Sequence, residues 1–217
     1  MARLKIAVLI SGRGSNLRAL IDACAAPDFP AEIACVICNE PEARGIKHAR
    51  AAGIPVAVIN HRAFRSREEF DAALDEAIRA GGAEFVCLAG FMRMVGDAFV
   101  RSWHNRLVNI HPSLLPAFRG LNTHARALEL GVRFAGCTVQ FVRAEMDAGP
   151  IIAQAVVPLR PDDTPEKLAE RVLGAEHQIY PLALRLIAEG RVRVTNEVVR
   201  IDGAATPETL LISPLEG

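Results

Sequence analysis

The sequence lacks a long hydrophobic run and an excess of charge of either sign. Near the amino terminus, two basic residues precede an apolar stretch at residues 6–10, which is too short for a signal peptide or a membrane-spanning helix. There are 25 basic and 25 acidic residues, whereas nucleic-acid binding normally requires a basic stripe. We therefore expect a soluble, cytoplasmic chain that acts on small molecules, with no nucleic-acid or membrane partner.

Cysteine pairs at metal-ligand spacing are scarce as well. Of the five cysteines, only Cys35 and Cys38 are close in sequence, and both fall in an apolar stretch typical of a β-strand. Side chains three apart on a strand face opposite sides of the sheet. Because no second Cys or His pair accompanies them, we expect buried free thiols and no metal site.

Apolar strands alternate with helical patterns through the first half of the chain. Predicted strands cover residues 4–10, 32–38, 56–59 and 85–89, and predicted helices follow residue 16 and cover 41–52 and 66–80. This alternation predicts an α/β fold with a doubly wound, mostly parallel sheet. In such sheets ligands bind at the carboxyl ends of the strands.

The pattern changes after Pro116. A short helix opens at Thr123, strands at 134–142 and 151–157 flank a loop, and a helix over 164–189 contains Pro181, which should kink or restart it. A hairpin around Asn196 follows. We expect the two strands to be antiparallel, giving a single domain over 1–217. It comprises an amino-terminal half over about 1–105, a carboxy-terminal half over about 106–202 and a weakly ordered tail over 203–217.

A glycine-rich turn at residues 11–16 leads from the first strand into a helix. Free N–H groups and the positive end of the helix dipole favour an anion there, which makes Gly14, Ser15 and Asn16 candidate phosphate ligands. A dinucleotide fingerprint would require glycine where the chain has Leu17. The alternatives to a phosphate site are a dinucleotide site and a purely structural turn.

A second candidate site is the segment Asn109-Ile110-His111, which ends an apolar run and precedes Pro112. On a strand, Asn109 and His111 point to the same face, and Pro112 should end the strand. An amide donor beside an imidazole suits oxyanion stabilisation and proton transfer. The alternative is that His111 merely caps a strand and Asn109 bonds a neighbouring loop.

Two further loops carry weaker signals. Met92 and Met94 follow the fourth predicted strand and could line a flat apolar pocket for an aromatic heterocycle, although ordinary core filling also explains them. Asp147 lies between two later strands, where an acid beside glycine is usually a turn former.

Five stretches, in this order, resemble the phosphoribosylglycinamide formyltransferases, folate-dependent enzymes of purine synthesis. They are Ser-Gly-Arg-Gly-Ser-Asn at 11–16, Leu-Ala-Gly-Phe-Met-Arg at 88–93, Asn-Ile-His-Pro-Ser-Leu-Leu-Pro at 109–116, Asp-Ala-Gly-Pro at 147–150 and Glu-His-Gln-Ile-Tyr-Pro at 176–181. The resemblance covers residues of about 4 to 200. It implies a Rossmann-like formyltransferase fold, and formyl transfer from 10-formyltetrahydrofolate to the amine of glycinamide ribonucleotide without a metal.

The resemblance also implies roles for individual residues. The catalytic set would be Asn109, His111 and Asp147, with the substrate phosphate on Gly14, Ser15 and Asn16 and its ribose near Glu176. The folate contacts would be Arg67, Met92, Arg93, Met94, Val95, Asn109, Arg143, Ala144, Glu145, Met146 and Asp147. We expect a monomer or a homodimer.

One position departs from the family pattern, because Asn122 stands where the family usually has histidine. Asparagine can exchange hydrogen bonds but cannot titrate, so the departure concerns fine tuning and not the reaction. The alternatives are another folate-dependent formyltransferase, a formylfolate hydrolase or, from a different class, a dinucleotide-binding dehydrogenase.

Overall fold

A seven-stranded sheet forms the centre of the protein, whose computed structural model describes residues 2–205 and 207–214. Its strands are β1 Leu4–Ile10, β2 Ala31–Cys38, β3 Val56–Val58, β4 Phe85–Leu88, β5 Leu107–His111, β6 Phe134–Phe141 and β7 Ile151–Pro158. Their spatial order is β3-β2-β1-β4-β5-β6-β7. Strands β1 to β5 are parallel, while β6 and β7 run antiparallel to their neighbours. The predicted fold class is confirmed.

Helices cover both faces of this sheet. They are α1 Ser15–Cys24, α2 Gly45–Ala51, α3 Arg67–Ala80, α4 Asp97–Ser102, α5 Thr123–Glu129 and α6 Pro165–Ala188. Ser66 caps the start of α3, since its hydroxyl accepts a hydrogen bond from Glu69 N at 3.2 Å. The Glu69 carboxylate reciprocates on Arg65 N at 3.0 Å, one residue earlier than in a standard capping box.

Two hydrophobic cores result, one on each face. Helices α1 and α6 pack on the face that carries Cys38, whereas α3 and α4 pack on the face that carries Cys35. The prediction that these two thiols face opposite sides is therefore confirmed, and all five cysteines are buried and free. The largest fully buried side chains are Trp103, Tyr180, Ile6, Leu9, Ile10, Leu17, Leu20, Ile37, Leu74, Ile78, Leu107 and Leu168.

The strand order also defines the edge where a ligand can bind. Strand β1 pairs with β2 on one side and with β4 on the other, so the chain reverses its direction of progress at β1. The loops after β1 and β4 therefore diverge and leave a crevice at the carboxyl ends of the strands. Strand β5 lies next to β4 and ends at the same edge.

Several predicted elements differ from the structure. Helix α2 begins at Gly45, not at residue 41. In the preceding turn Ala43 N bonds Glu40 O at 3.1 Å, and Gly45 N bonds Gly12 O at 3.0 Å, so the turn after β1 fixes the start of the helix. Helix α4 and a 3-10 turn at His61–Ala63 were not predicted, since both are too short to show a periodic pattern.

Of the two outcomes predicted for Pro181, the restart is wrong, because α6 runs through it without interruption; the kink stays a prediction. Pro181 has no N–H to donate within the helix. Packing compensates: the adjacent Tyr180 is fully buried, and its hydroxyl donates to Leu88 O at 2.9 Å. This contact anchors the middle of α6 to the end of β4.

The carboxy-terminal part of the described chain is a hairpin, β8 Val192–Thr195 and β9 Val198–Ile201. Its two turn residues, Asn196 and Glu197, have φ values of 50° and 59°, as a tight two-residue hairpin turn requires. Residues 207–214 contain no helix or strand. The rest of the predicted weakly ordered tail, at 206 and 215–217, lies outside the described residues.

Some predictions are not tested by the fold. The extent of the domain, the oligomeric state and the cytoplasmic location stay predictions. Among the described residues, no helix combines the length and the apolar character needed to cross a membrane.

Two glycines allow a matched test of the packing. A Cβ at Gly136 on β6 would lie 2.0 Å from Ala155 O and 2.7 Å from Leu114 Cδ2, whereas a Cβ at Gly174 on α6 would meet nothing within 4 Å. Gly136→Ala should therefore destabilise the protein by about 2 kcal/mol or more through overpacking. Gly174→Ala should stabilise it by about 1 kcal/mol, because alanine favours a helix interior. Urea unfolding measures both, and equal effects would contradict the strand packing.

Candidate active site

The turn after β1 presents free backbone donors. Gly14 has a φ of 74°, and a Cβ there would lie 2.5 Å from Gly45 Cα, so only glycine fits. The first bond of α1 runs from Arg18 N to Gly14 O at 2.9 Å. The N–H groups of Ser15, Asn16 and Leu17 are therefore left without a partner within residues 2–205 and 207–214. Three free donors at a helix start can hold an anion.

A buried pair links this turn to α6. Asn16 Nδ2 donates to Glu176 Oε2 at 2.6 Å, and the two residues are only 7% and 6% exposed. Burial raises the pKa of the Glu176 carboxyl, and the bond from Asn16 partly opposes this shift. The structure thus brings Glu176 to the predicted phosphate turn across 160 residues of sequence.

The side chains of Asn109 and His111 lie on one face of β5. Val108 and Ile110 pack in the core beneath α1 and α6, whereas Leu107 packs in the opposite core. Strand alternation places Asn109 and His111 on the Leu107 face. The same-face prediction is confirmed, and β5 ends at His111, before Pro112, as predicted.

Both ring nitrogens of His111 have partners. Nε2 lies 3.1 Å from Phe118 O, and Nδ1 lies 3.4 Å from Asp147 Oδ2. The side chains of His111 and Asp147 are only 8% and 11% exposed. A carbonyl oxygen can only accept a hydrogen bond, so Nε2 is the ring nitrogen that donates to Phe118 O, while the Asp147 carboxylate lies beside Nδ1. The structure brings together two residues that are 36 positions apart in the sequence.

Asp147 is held by its own neighbours. Its Oδ2 accepts from Gly120 N at 2.9 Å and its Oδ1 from Gln140 Nε2 at 3.3 Å. Gln140 is 3% exposed, and its Oε1 accepts from Gly149 N at 3.1 Å. The side-chain amide of Gln140 thus bonds both Asp147 and Gly149 in this turn. Sequence reasoning missed Gln140 and Gly120, because the register that sets Gln140 opposite Asn109 cannot be read from the local sequence.

A cavity opens beside the loop that follows β4. It has a volume of about 510 Å³ and is lined by His61, Phe64, Arg65, Ser66, Arg67, Phe70, Met92, Arg93 and Met94. Four predicted folate contacts therefore share one cavity, namely Arg67, Met92, Arg93 and Met94. Val95 is not among the lining residues and packs against the core beneath α3 and α4.

One hydroxyl ties the phosphate turn to this cavity. The Ser11 hydroxyl accepts from Met92 N at 2.7 Å and donates to Asn39 Oδ1 at 2.5 Å. Asn39 is 1% exposed. The loops after β1 and β4 are consequently fixed relative to each other.

The remaining predicted folate contacts lie in the loop between β6 and β7. The Arg143 guanidinium bonds Glu197 and Asn105, and Glu145 pairs with Arg119. Met146 is 50% exposed. Contact of residues 143–146 with a folate stays a prediction.

Asn122 has a geometric role that the sequence did not reveal. It precedes α5 with a φ of 57° and makes no side-chain cap bond, and its side chain is exposed. Asparagine is among the few residues that adopt this left-handed conformation readily. Its presence is explained by the backbone.

Two alternatives can be compared with this geometry. Leu17 is fully buried in the core and occupies the position where a dinucleotide fingerprint needs glycine. Among the residues that the structure describes, no group of three or more His, Cys, Asp or Glu side chains is arranged to hold a metal ion.

Comparison with known proteins gives consistent matches. A family described as formyl transferase matches residues 4–184. The trifunctional purine biosynthetic protein adenosine-3 of Bos taurus is 50% identical over 192 residues, 88% of this chain and 19% of that protein. The phosphoribosylglycinamide formyltransferase of Haemophilus influenzae is 43% identical over 205 residues, 94% of this chain and 97% of that one.

A solved structure shows the same fold. Glycinamide ribonucleotide transformylase 1 from Symbiobacterium toebii superposes with a TM-score of 0.90 at 49% identity, covering 92% of this chain and 94% of that one. The chain spans less than a fifth of the length of the trifunctional relatives that it matches, since 19% of the Bos taurus protein is covered.

The buried carboxyl of Glu176 generates a prediction about stability and pH. A carboxyl whose pKa is raised on folding contributes stability at acid pH that is lost as the pH rises through its folded pKa. Glu176→Gln removes this loss, so the variant should gain stability relative to the wild type between pH 4.5, the ordinary value of the group, and neutral pH. Urea unfolding across this range provides the measurement.

Glu170→Gln is the matched control, because it removes an exposed carboxyl from the same helix. If the free energy of unfolding of Glu176→Gln differed from that of the wild type by the same amount at every pH, folding would not raise the pKa of Glu176 and the prediction would be wrong.

Proposed function

The chain belongs to the formyl transferase family, and from that premise we propose that it transfers a formyl group from 10-formyltetrahydrofolate to the primary amine of glycinamide ribonucleotide. The products are formylglycinamide ribonucleotide and tetrahydrofolate, in purine synthesis. The observation that carries the proposal is the buried contact between His111 and Asp147, 3.4 Å apart, at the strand edge that also holds the phosphate turn.

The ribonucleotide binds through its phosphate at the start of α1. Three free N–H groups and the positive end of the helix dipole favour a dianion there without a basic side chain. Glu176, bonded to Asn16 at 2.6 Å, lies next to this site and is suited to accept hydrogen bonds from the ribose hydroxyls. These contacts set the position of the amine.

The formyl donor binds in the 510 Å³ cavity. A folate combines a flat heterocycle with a carboxylate-bearing tail, and the cavity offers matching chemistry. Met92 and Met94 supply adaptable apolar surface, while Arg67 and Arg93 can pair with carboxylates. The loop at residues 143–147 and Asn109 complete the folate contacts in this proposal.

Catalysis follows from the groups at the end of β5. The amine attacks the formyl carbon, and the carbonyl oxygen becomes an oxyanion. The Asn109 amide and a protonated His111 donate to that oxyanion, and one such donor contributes about 3–4 kcal/mol in comparable sites. Asp147 stabilises the imidazolium by its charge and accepts the proton of the amine through water. The oxyanion then collapses to a carbonyl, the bond between the formyl carbon and N10 of the folate breaks, and N10 leaves with a proton returned through the same water. No step of this scheme requires a metal.

The two contacts of His111 constrain this mechanism. Because Nε2 faces Phe118 O and Nδ1 faces Asp147, donation to an oxyanion requires one of these contacts to give way. The contact with Asp147, at 3.4 Å, is the longer one. Substrate binding at this edge would therefore reorganise the turn that carries Asp147 or the segment that carries Phe118.

An assay with both substrates tests the proposal. Product formation from 10-formyltetrahydrofolate should depend on glycinamide ribonucleotide, with the folate alone as the hydrolysis control. Formyl release without the ribonucleotide would indicate a hydrolase. Binding of NADH in a fluorescence titration, with no binding of a reduced-folate analogue, would support the dehydrogenase alternative and contradict this proposal.

His111→Ala should lower kcat by about a thousandfold or more, because an electrostatic donor and a proton relay are lost together. The KM for the ribonucleotide should change little, since the phosphate turn is untouched. Steady-state kinetics with each substrate varied gives both values. His104→Ala, at an exposed histidine, is the control, and an active His111→Ala enzyme would remove His111 from the mechanism.

A further inference from the structure

Arg143 makes a set of contacts that the proposed reaction does not use. Its Nε and Nη2 donate to the two carboxylate oxygens of Glu197, at 2.6 and 3.4 Å. Nη2 also donates to Asn105 Oδ1 at 2.8 Å, and Nη1 donates to Val142 O at 3.1 Å. Each nitrogen of the guanidinium therefore donates to an acceptor on the protein.

These contacts join three separate parts of the fold. Arg143 begins the loop between β6 and β7, Asn105 lies in the turn between α4 and β5, and Glu197 is the second turn residue of the β8–β9 hairpin. The Arg143 side chain is only 14% exposed, although Glu197 is 61% exposed. Asn105 and Glu197 both have positive φ values, 55° and 59°, so their backbones are fixed by tight turns.

The opposite side of the same loop holds the candidate catalytic acid. Asp147 is fastened to Gly120 and Gln140, and Gly149 lies so close to β6 that a Cβ would be 1.7 Å from Phe141 O. The loop thus has a firm end near Asp147 and Gly149. Its other end is held on the hairpin side by the Arg143 contacts.

We propose that Glu197 is a positioning residue for the reaction: by holding the guanidinium of Arg143, the β8–β9 hairpin fixes the loop at 143–149, which carries Asp147 and is assigned to the folate in the proposed function. The effect on the reaction rests on the proposed function, whereas the effect on the loop itself does not. The hairpin thereby acts on catalysis although it contributes no strand to the seven-stranded sheet.

The pair has the properties that this role needs. Planar, two-point contact between a guanidinium and a carboxylate fixes orientation as well as distance. The bond from Arg143 lowers the pKa of the Glu197 carboxyl, so the pair stays charged at neutral pH. Because Glu197 is largely exposed, solvent screens the attraction, and the expected effect is moderate.

The test compares Glu197→Ala with a control in the same hairpin. The KM for the formyl donor should rise about fivefold, the upper range for an exposed ion pair, and kcat should fall by less than that, because Gly120 and Gln140 still hold Asp147. The KM for the ribonucleotide should stay unchanged. Asp202→Asn removes the hairpin pair between Arg193 and Asp202, 2.8 Å apart, and should leave all three values as in the wild type.

These changes differ from those of a merely structural role. A variant that only unfolds more easily lowers the amount of active enzyme, which reduces the apparent kcat and leaves both KM values unchanged. The double variant Arg143→Ala/Glu197→Ala should be no worse than Arg143→Ala alone, because Glu197 acts through Arg143. The proposal would be overturned if the losses of activity of the two single variants added up in the double variant, or if the KM for the formyl donor were unchanged in Glu197→Ala.

Hydrogen exchange separates this inference from the proposed function. In the substrate-free protein, amides of residues 141–150 should exchange faster in Glu197→Ala than in the wild type, while those of β1 should not change. If the wild type did not transfer formyl groups, but residues 141–150 still exchanged faster in Glu197→Ala than in the wild type, the proposed function would fail and the control of the loop by Glu197 would stand. Equal exchange in an active enzyme would overturn the inference alone.

Discussion

The change of strand direction after β5 is the constraint on which the site depends. Strands β1 to β5 are parallel, and β6 then returns antiparallel beside β5. This return sets Gln140 opposite Asn109. The loop between β6 and β7 leaves beside the start of β5, where Val142 N bonds Leu107 O, and it folds back so that Asp147 reaches Gln140 and His111. The contact between His111 and Asp147 is thus a consequence of topology, and local sequence alone does not produce it.

The strands and the two polar segments could be predicted from the sequence because their signals are local. Apolar runs bounded by glycine or proline define β1 and β5, and Asn109 and His111 share a face by strand periodicity. Asp147 could not be placed in the site from local signals, because the residues alone indicated only a turn former. The family resemblance supplied its role. Gln140 and Gly120, which hold Asp147, have no local signal, since their partners are distant in sequence.

The errors in the fold have the same physical origin. The start of α2 at Gly45 depends on the close approach of the Gly14 backbone, and the continuity of α6 through Pro181 depends on buried neighbours such as Tyr180. Both are tertiary effects that outweigh the local preferences of glycine and proline. The Asn122 position shows the reverse case, because a backbone φ of 57° accounts for a residue that the family pattern left unexplained.

The buried groups divide the site into a rigid part and a part that must respond to substrate. Around the phosphate turn, Ser11 and Asn16 are bonded to Met92 and Glu176 at distances of 2.7 and 2.6 Å, so this side is preorganised. At the reacting side, both partners of the His111 ring lie in loops: the ring bonds Phe118 O and lies near Asp147. An oxyanion can compete with either acceptor for a proton of the ring. Because Asp147 is charged and has two other donors, it can keep its place while the imidazolium turns from the Phe118 carbonyl towards the oxyanion.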